Sequence, residues 1–166
     1  MSDLLDFRPM NAELDQDVQA LFSLLERAPG YSDLVEGRPA SVQDAHETLA
    51  GLPPGKHIAD KLAGGYYLQN RLVGCLDLIR GYPANDTAYI GLLLFAEDEQ
   101  GKGLGVQALA HVRQMAQAWH CSALRLAVVG TNTRALAFWA REGFREVQRR
   151  SVSRYAAELI VMQRPL

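Results

Sequence analysis

Apolar positions recur along the chain in two rhythms. Over 11–28, Val18, Leu21, Phe22 and Leu25 fall at helical spacing until Pro29-Gly30, which predicts a helix ending there. The segment 4–10 ahead of it reads as a short first strand. Ser41-Val42-Gln43-Asp44 resembles a capping box with Asp in place of Glu, so a second helix is expected from there to about Gly51, ahead of Pro53-Pro54-Gly55. The stretch 29–39 between the two helices reads as irregular. Strand patterns follow at 64–69 and 71–80 around the hairpin signal Gln69-Asn70-Arg71, and 81–86 is a turn-rich loop. Residues 87–96 are apolar at nearly every position, as in a strand covered on both faces at the centre of a sheet. Leu104, Ala108, Leu109, Val112, Ala116 and Trp119 give one apolar side to a helix beginning near Gly103. The strand pattern at 123–129 then follows through a helix, so it should lie parallel to 87–96 with a right-handed crossover. A short helix over 132–142 closes at Gly143 with Phe144 behind it, and strands at 144–152 and 158–163 complete the chain.

Between the buried strand and its helix stands Gln100-Gly101-Lys102-Gly103-Leu104-Gly105. Glycines at a strand-to-helix junction let a ligand approach the backbone, and a helix N-terminus leaves N–H groups unpaired, which together make an anion site suited to phosphate or pyrophosphate. Two phosphate-binding patterns do not fit. In a P-loop the lysine follows the second glycine and a hydroxyl follows the lysine, whereas Lys102 precedes Gly103 and no hydroxyl follows. A dinucleotide fingerprint needs Gly-x-Gly-x-x-Gly and a later acid, whereas Gly101-x-Gly103-x-Gly105 has another spacing and the strand at 123–129 ends without an acid.

Gln100-x-x-Gly103-x-Gly105 resembles the acetyl-coenzyme A signature of the GNAT superfamily of N-acetyltransferases, Gln/Arg-x-x-Gly-x-Gly/Ala. The downstream segment Asn132-Thr133-Arg134-Ala135-Leu136-Ala137-Phe138-Trp139-Ala140-Arg141-Glu142-Gly143-Phe144 is similar to the family's Asn-x-x-Ala-x-x-hydrophobic-aromatic-x-x-x-Gly-Phe. The resemblance implies a single domain over 1–166, of mixed α/β class, with a mostly antiparallel central sheet of about seven strands flanked by about four helices. It implies an acetyl-coenzyme A-dependent transferase acting on a primary amine of a small molecule or peptide by direct attack on the thioester. The alternative is a non-catalytic acyl-coenzyme A-binding or sensor module on the same fold. Backbone N–H groups from Gly101 through Lys102, Gly103, Leu104 and Gly105 to Val106 would hold the pyrophosphate, and Leu93, Leu94 and Phe95 would offer strand backbone to the pantetheine arm. Asn132, Phe138 and Trp139 would contact the cofactor. Family members often dimerise through the sheet or the C-terminal strands, a matter this sequence leaves open.

The catalytic groups are less defined. Trp139 stands where family members commonly carry Tyr, and an indole N–H is a donor but no usable acid. A thiol of pKa about 8.5 can leave unassisted, with Tyr89 and Tyr155 as substitute acids. Tyr89 also stands where some members place Glu. Asp77 is the best base, because it interrupts the buried pattern of 72–79 and a carboxylate there needs either a chemical role or a partner such as Arg80 or an arginine of the C-terminal strands. Glu97, just before the loop, reads as solvated. Tyr31, Asp33, Glu36 and Tyr82 are the candidates for meeting a cationic amine.

Composition narrows the remaining classes. With 166 residues, 22% charged and a net charge of −2, the chain carries no basic excess that would suit nucleic acid. Its longest apolar run, 90–96, is too short to span a bilayer. Cys75 and Cys121 lie in apolar surroundings and read as buried free thiols, and the acidic start of the chain lacks a signal-peptide core, so a cytoplasmic setting is expected. His57, His111 and His120 show no metal-ligand spacing with the cysteines.

Overall fold

The computed structural model describes residues 4–155 and 157–166; residues 1–3, part of the acidic start noted above, and residue 156 lie outside them. A long hairpin anchors the sheet. β2 (Lys61–Leu68) and β3 (Arg71–Arg80) pair antiparallel, and Gln69 and Asn70 turn between them with φ of 49° and 65°. Positive φ at both central residues matches the right-handed twist of the flanking strands. Around this hairpin the seven-stranded sheet has the order β1-β2-β3-β4-β5-β7-β6, with β1 (Asp6–Pro9), β4 (Thr87–Phe95), β5 (Ala123–Val129), β6 (Arg145–Arg150) and β7 (Leu159–Pro165). Among the described residues only β4 and β5 pair in parallel, as the intervening helix requires.

Alternation along the strands sends side chains to two cores. On one face α4 (Leu104–Ala118) and α5 (Thr133–Arg141) cover Leu76, Leu78, Ile90, Leu124 and Leu126. On the other, α1 (Asp15–Glu26) and α3 (Val42–Ala50) cover Ala63, Cys75 and Leu94. Val18, Leu21 and Leu25 are buried as the periodicity predicts, with Leu24 beside them in place of the half-buried Phe22. The capping box at Ser41 is formed: Asp44 N–H donates to Ser41 Oγ (3.3 Å) and Ser41 N–H to Asp44 Oδ2 (2.8 Å). Arg38 grips the same carboxylate at 2.8 Å, and this contact holds Asp44 well below the usual carboxylate range, at about 2.

One expectation fails. The stretch 29–39 is not irregular: it contains a helix, α2 (Pro29–Glu36), which brings the described residues to five α-helices. Pro29 sits at the first helical position, where its missing N–H costs nothing, and Gly37 closes the helix at φ 68°. A distant residue completes it, for Glu97 Oε1 accepts the Gly30 N–H at 2.7 Å. No helix among the described residues is long and apolar enough to cross a membrane.

Candidate active site

The site begins where two strands part. β4 and β5 pair over only four residues each, Thr87 to Ile90 against Ala123 to Leu126. Beyond Ile90, β4 continues along β3 alone, while Ala127, Val128 and Val129 of β5 continue along β7 alone. A V-shaped gap therefore opens, edged on both sides by backbone groups that no strand pairs. At its narrow end β4 bulges: Leu78 pairs with Ile90 and Asp77 with Leu92, so Gly91 has no partner. The side chains of Leu93 and Phe95 pack on the α4 core and that of Leu94 on the opposite one, leaving the backbone of these residues at the gap.

At the wide end stands the glycine loop. Gly101 and Gly103 have φ of 79° and 80°, and a Cβ on either would meet nothing within 4 Å, so the loop surface is open. Gly103 N-caps α4, and Gln107 is the first residue to donate within it, to Gly103 O (3.3 Å); the N–H groups of Leu104, Gly105 and Val106 face outward from the helix start. Gln100 has a structural task, because its Nε2 donates to Phe95 O at 2.9 Å and ties the loop to the strand end. Lys102 is exposed, with Nζ 3.3 Å from the buried carboxylate of Glu99, which Arg71 also pairs. Burial alone would raise the Glu99 pKa, but the two cations outweigh it and hold it below the ordinary value. In the sequence Glu99 carries no local signal of this role, and Arg71 stands out only as part of the hairpin turn.

α5 supports the loop from behind. Phe138 lies so near Gly105 that a Cβ there would stand 3.2 Å from the ring, which makes glycine the residue that lets the helices meet. Asn132 caps α5, its Oδ1 accepting from Ala135 N–H at 3.2 Å. Trp139 is buried in the core, edge-on to Phe138 and to Phe144 at 4.9 and 5.0 Å between ring centroids. Of the two aromatic residues expected at the cofactor, Phe138 borders the loop and Trp139 points inward.

A strand gap that ends in an open, glycine-lined helix start is what the acetyltransferase motifs lead one to expect, and comparison with known proteins decides the family. The Acetyltransferase (GNAT) family model matches residues 18–144, well over half the chain. The chain belongs to the GNAT acetyltransferase family. An acetyltransferase from Thermus thermophilus is 30% identical, with a TM-score of 0.82 over 98% of this chain and 97% of that one. Two more distant structures share the fold. RimL, an alpha-N-protein acetyltransferase in complex with coenzyme A, is 18% identical with a TM-score of 0.75, covering 100% of this chain and 96% of that one. A GNAT family acetyltransferase from Elizabethkingia anophelis with acetyl-CoA bound is 17% identical with a TM-score of 0.68, covering 99% and 100%. No curated protein matches the chain.

On this GNAT scaffold the remaining predicted residues, Asp33 excepted, gather on the face covered by α1 and α3. Asp77 lies on that face beside Cys75, and a Cβ on Gly91 would overlap its Oδ2, so the carboxylate stands against the bulge at the narrow end of the gap. Its ion-pair partner is Lys61, with Nζ 2.9 Å from Oδ1, and not an arginine; Arg80 pairs with Asp60 instead. Burial raises the Asp77 pKa, and the Lys61 charge opposes that rise. Burial and Asp77 together push the Cys75 thiol up to about 12, so it is inert. Tyr82 stacks edge-on against Tyr89 at 5.4 Å. Burial raises the Tyr89 phenol, which stays a donor. Burial raises both the Tyr31 and the Tyr155 phenol, and Tyr155 adds to the rise at Tyr31. Glu36 is already bound to Arg154 at 2.7 Å and lies 3.9 Å from Arg38. Asp33 is exposed on α2, and its carboxylate makes no contact among the described residues that joins it to the cluster. Glu97, read as solvated, is the cap of α2.

Proposed function

We propose that the protein is an acetyl-coenzyme A-dependent N-acetyltransferase whose acceptor is a primary amine of a small molecule or peptide. The observation that carries this reading is the continuity of the V-shaped gap with the glycine loop. The loop suits a pyrophosphate, because open glycine positions and free N–H groups coincide at a helix start with Lys102 beside them. The gap suits an extended arm, because residues 91–94 are paired with no strand on the gap side and can accept it as an added strand. An acyl group carried by such an arm would lie near Gly91.

In the proposed reaction the amine nitrogen attacks the thioester carbonyl carbon. A C–N bond forms, the C–S bond breaks, and the thiolate leaves. Asp77 is the proposed base for the ammonium proton, directly or through one water, since a carboxylate of raised pKa facing the bulge is placed for that task. Free N–H groups of β4 beyond Ile90 would polarise the carbonyl oxygen. Tyr89 would donate a hydrogen bond at the acceptor side, and with Trp139 buried no indole takes part. The buried thiols of Cys75 and Cys121 suit the reducing cytoplasm proposed as its setting.

Calorimetric titration with acetyl-coenzyme A, using ATP and NADH as controls, tests the cofactor assignment. Micromolar binding of acetyl-coenzyme A alone supports it, and absence of binding overturns it. Thiol release on adding an amine then separates an enzyme from a sensor on the same fold.

A further inference from the structure

We propose that the acceptor is a small primary amine that also carries a carboxylate, and that Arg125 and Arg150 hold this carboxylate beside Tyr89. The inference rests on the N-acetyltransferase reading above and narrows its acceptor. Arg125 lies directly across from Tyr89 in the β4–β5 register. Its Nε donates to Gln163 Oε1 at 2.7 Å, which fixes the half-buried guanidinium, and among the described residues its two terminal nitrogens have no partner and can bind an anion. Arg150 ends β6 opposite Leu159, on the face of the sheet opposite the α5 side that Ile160 occupies. The charges of Arg150 and Arg125 are the two cationic influences on the Tyr89 phenol.

The charge balance around the site points the same way. Asp77 is matched by Lys61. Glu36 is matched by Arg154, while Arg38, 3.9 Å from Glu36, is held by Asp44. Arg125 and Arg150 form no ion pair among the described residues. A substrate entering beside Tyr89 therefore meets two cations without a counter-charge. A polyamine or a lysine side chain would be repelled there, whereas a carboxylate would make charge-assisted hydrogen bonds. The distances suit a small molecule. Tyr89 pairs with Ile79, and Asp77 stands two residues further along β3, about 7 Å away along the strand. A substrate with its carboxylate at Tyr89 can thus bring its amine toward Asp77 and the bulge.

The test measures thiol release at saturating acetyl-coenzyme A with the common L-amino acids and short ω-amino acids, each beside its carboxamide. The expected result is that at least one acid is accepted, with kcat/KM about tenfold or more above its carboxamide, the span of one charge-assisted hydrogen bond. Arg150→Gln, at an exposed position, should bring the two within about threefold while leaving calorimetric affinity for acetyl-coenzyme A unchanged. Equal or better use of the carboxamides, or no accepted acid in a protein that binds acetyl-coenzyme A, overturns the proposal. Failure to bind acetyl-coenzyme A at all is a failure of the preceding reading, and the calorimetry tells the two apart.

Discussion

The ammonium of Lys61 stands 2.9 Å from the carboxylate of Asp77, on adjacent strands, with the lysine side chain 1% exposed. Lys61 also donates to Gly51 O at 2.6 Å, so the cation is pinned between the end of α3 and the catalytic candidate. A buried pair of this kind adds little net stability but is costly to break from one side.

Two measurements follow from this pair. Asp77→Asn strands a buried ammonium, so stability should fall by about 3 kcal/mol, while Lys61→Met with Asp77→Leu should lie close to wild type. In the kinetics, the raised Asp77 pKa means the carboxyl keeps its proton to higher pH than an ordinary Asp. The acid limb of kcat should therefore lie above about pH 4 and vanish in Asp77→Asn, with acetyl-coenzyme A affinity nearly intact. A variant that retains the acid limb removes Asp77 from the mechanism.

Gly103→Glu should separate the loop's binding role from its fold. The Cβ would meet nothing within 4 Å, so the folding cost is the backbone strain at φ 80° alone, about 1–2 kcal/mol. The carboxylate, however, would project over the N–H groups assigned to the pyrophosphate. Calorimetry should show acetyl-coenzyme A affinity reduced about a hundredfold or more, with chemical denaturation showing a folded protein. Near-normal affinity would overturn the loop assignment.

How far the sequence reaches is clear from these same residues. Local signals were legible: the apolar strand at 87–95, the apolar side of α4, the capping box at Ser41 and the glycine loop each lie within a few residues of what makes them. Long-range partners were not. α2 went unread because Pro29, Gly30 and Gly37 look like breakers, and the group that caps the helix, Glu97, is 67 residues away. Asp77 was singled out as a carboxylate in a buried strand, but its partner depends on strand register, which put Lys61 beside it and sent Arg80 to Asp60. The cationic pair Arg125 and Arg150 carries no local pattern and exists only once β4, β5 and β6 are assembled.

A second buried titratable contact predicts how stability depends on pH. The Tyr66 hydroxyl lies 2.8 Å from His111 Nδ1, between β2 and α4, in a hydrogen bond whose direction follows the tautomer of the ring. Burial lowers the His111 pKa, so the folded state binds the proton less readily than the unfolded one. This contribution is therefore complete above the unfolded value of about 6.5 and is lost as pH falls through the lower folded value. His111→Gln keeps an acceptor for Tyr66 but does not titrate. The denaturant midpoint of wild type should drop more than that of the variant between about pH 7.5 and about pH 5.5, and parallel curves would exclude His111 as the source.

The bulge at Gly91 links the carboxylate to the gap, and Gly91→Ala tests that link. A methyl group there would overlap Asp77 Oδ2, so either the carboxylate turns away or the strand moves. The glycine loop begins beyond Phe95 and is tied to it by Gln100, so a local shift at Gly91 should leave it in place. We expect kcat to fall about tenfold or more while acetyl-coenzyme A affinity stays within about threefold. Because both changes act through one carboxylate, Gly91→Ala combined with Asp77→Asn should be scarcely slower than Asp77→Asn alone. Additive losses would show that Gly91 acts apart from Asp77, through the shape of the gap itself. A collapse of affinity would show that the methyl group moves the strand edge that holds the arm, and not the carboxylate alone.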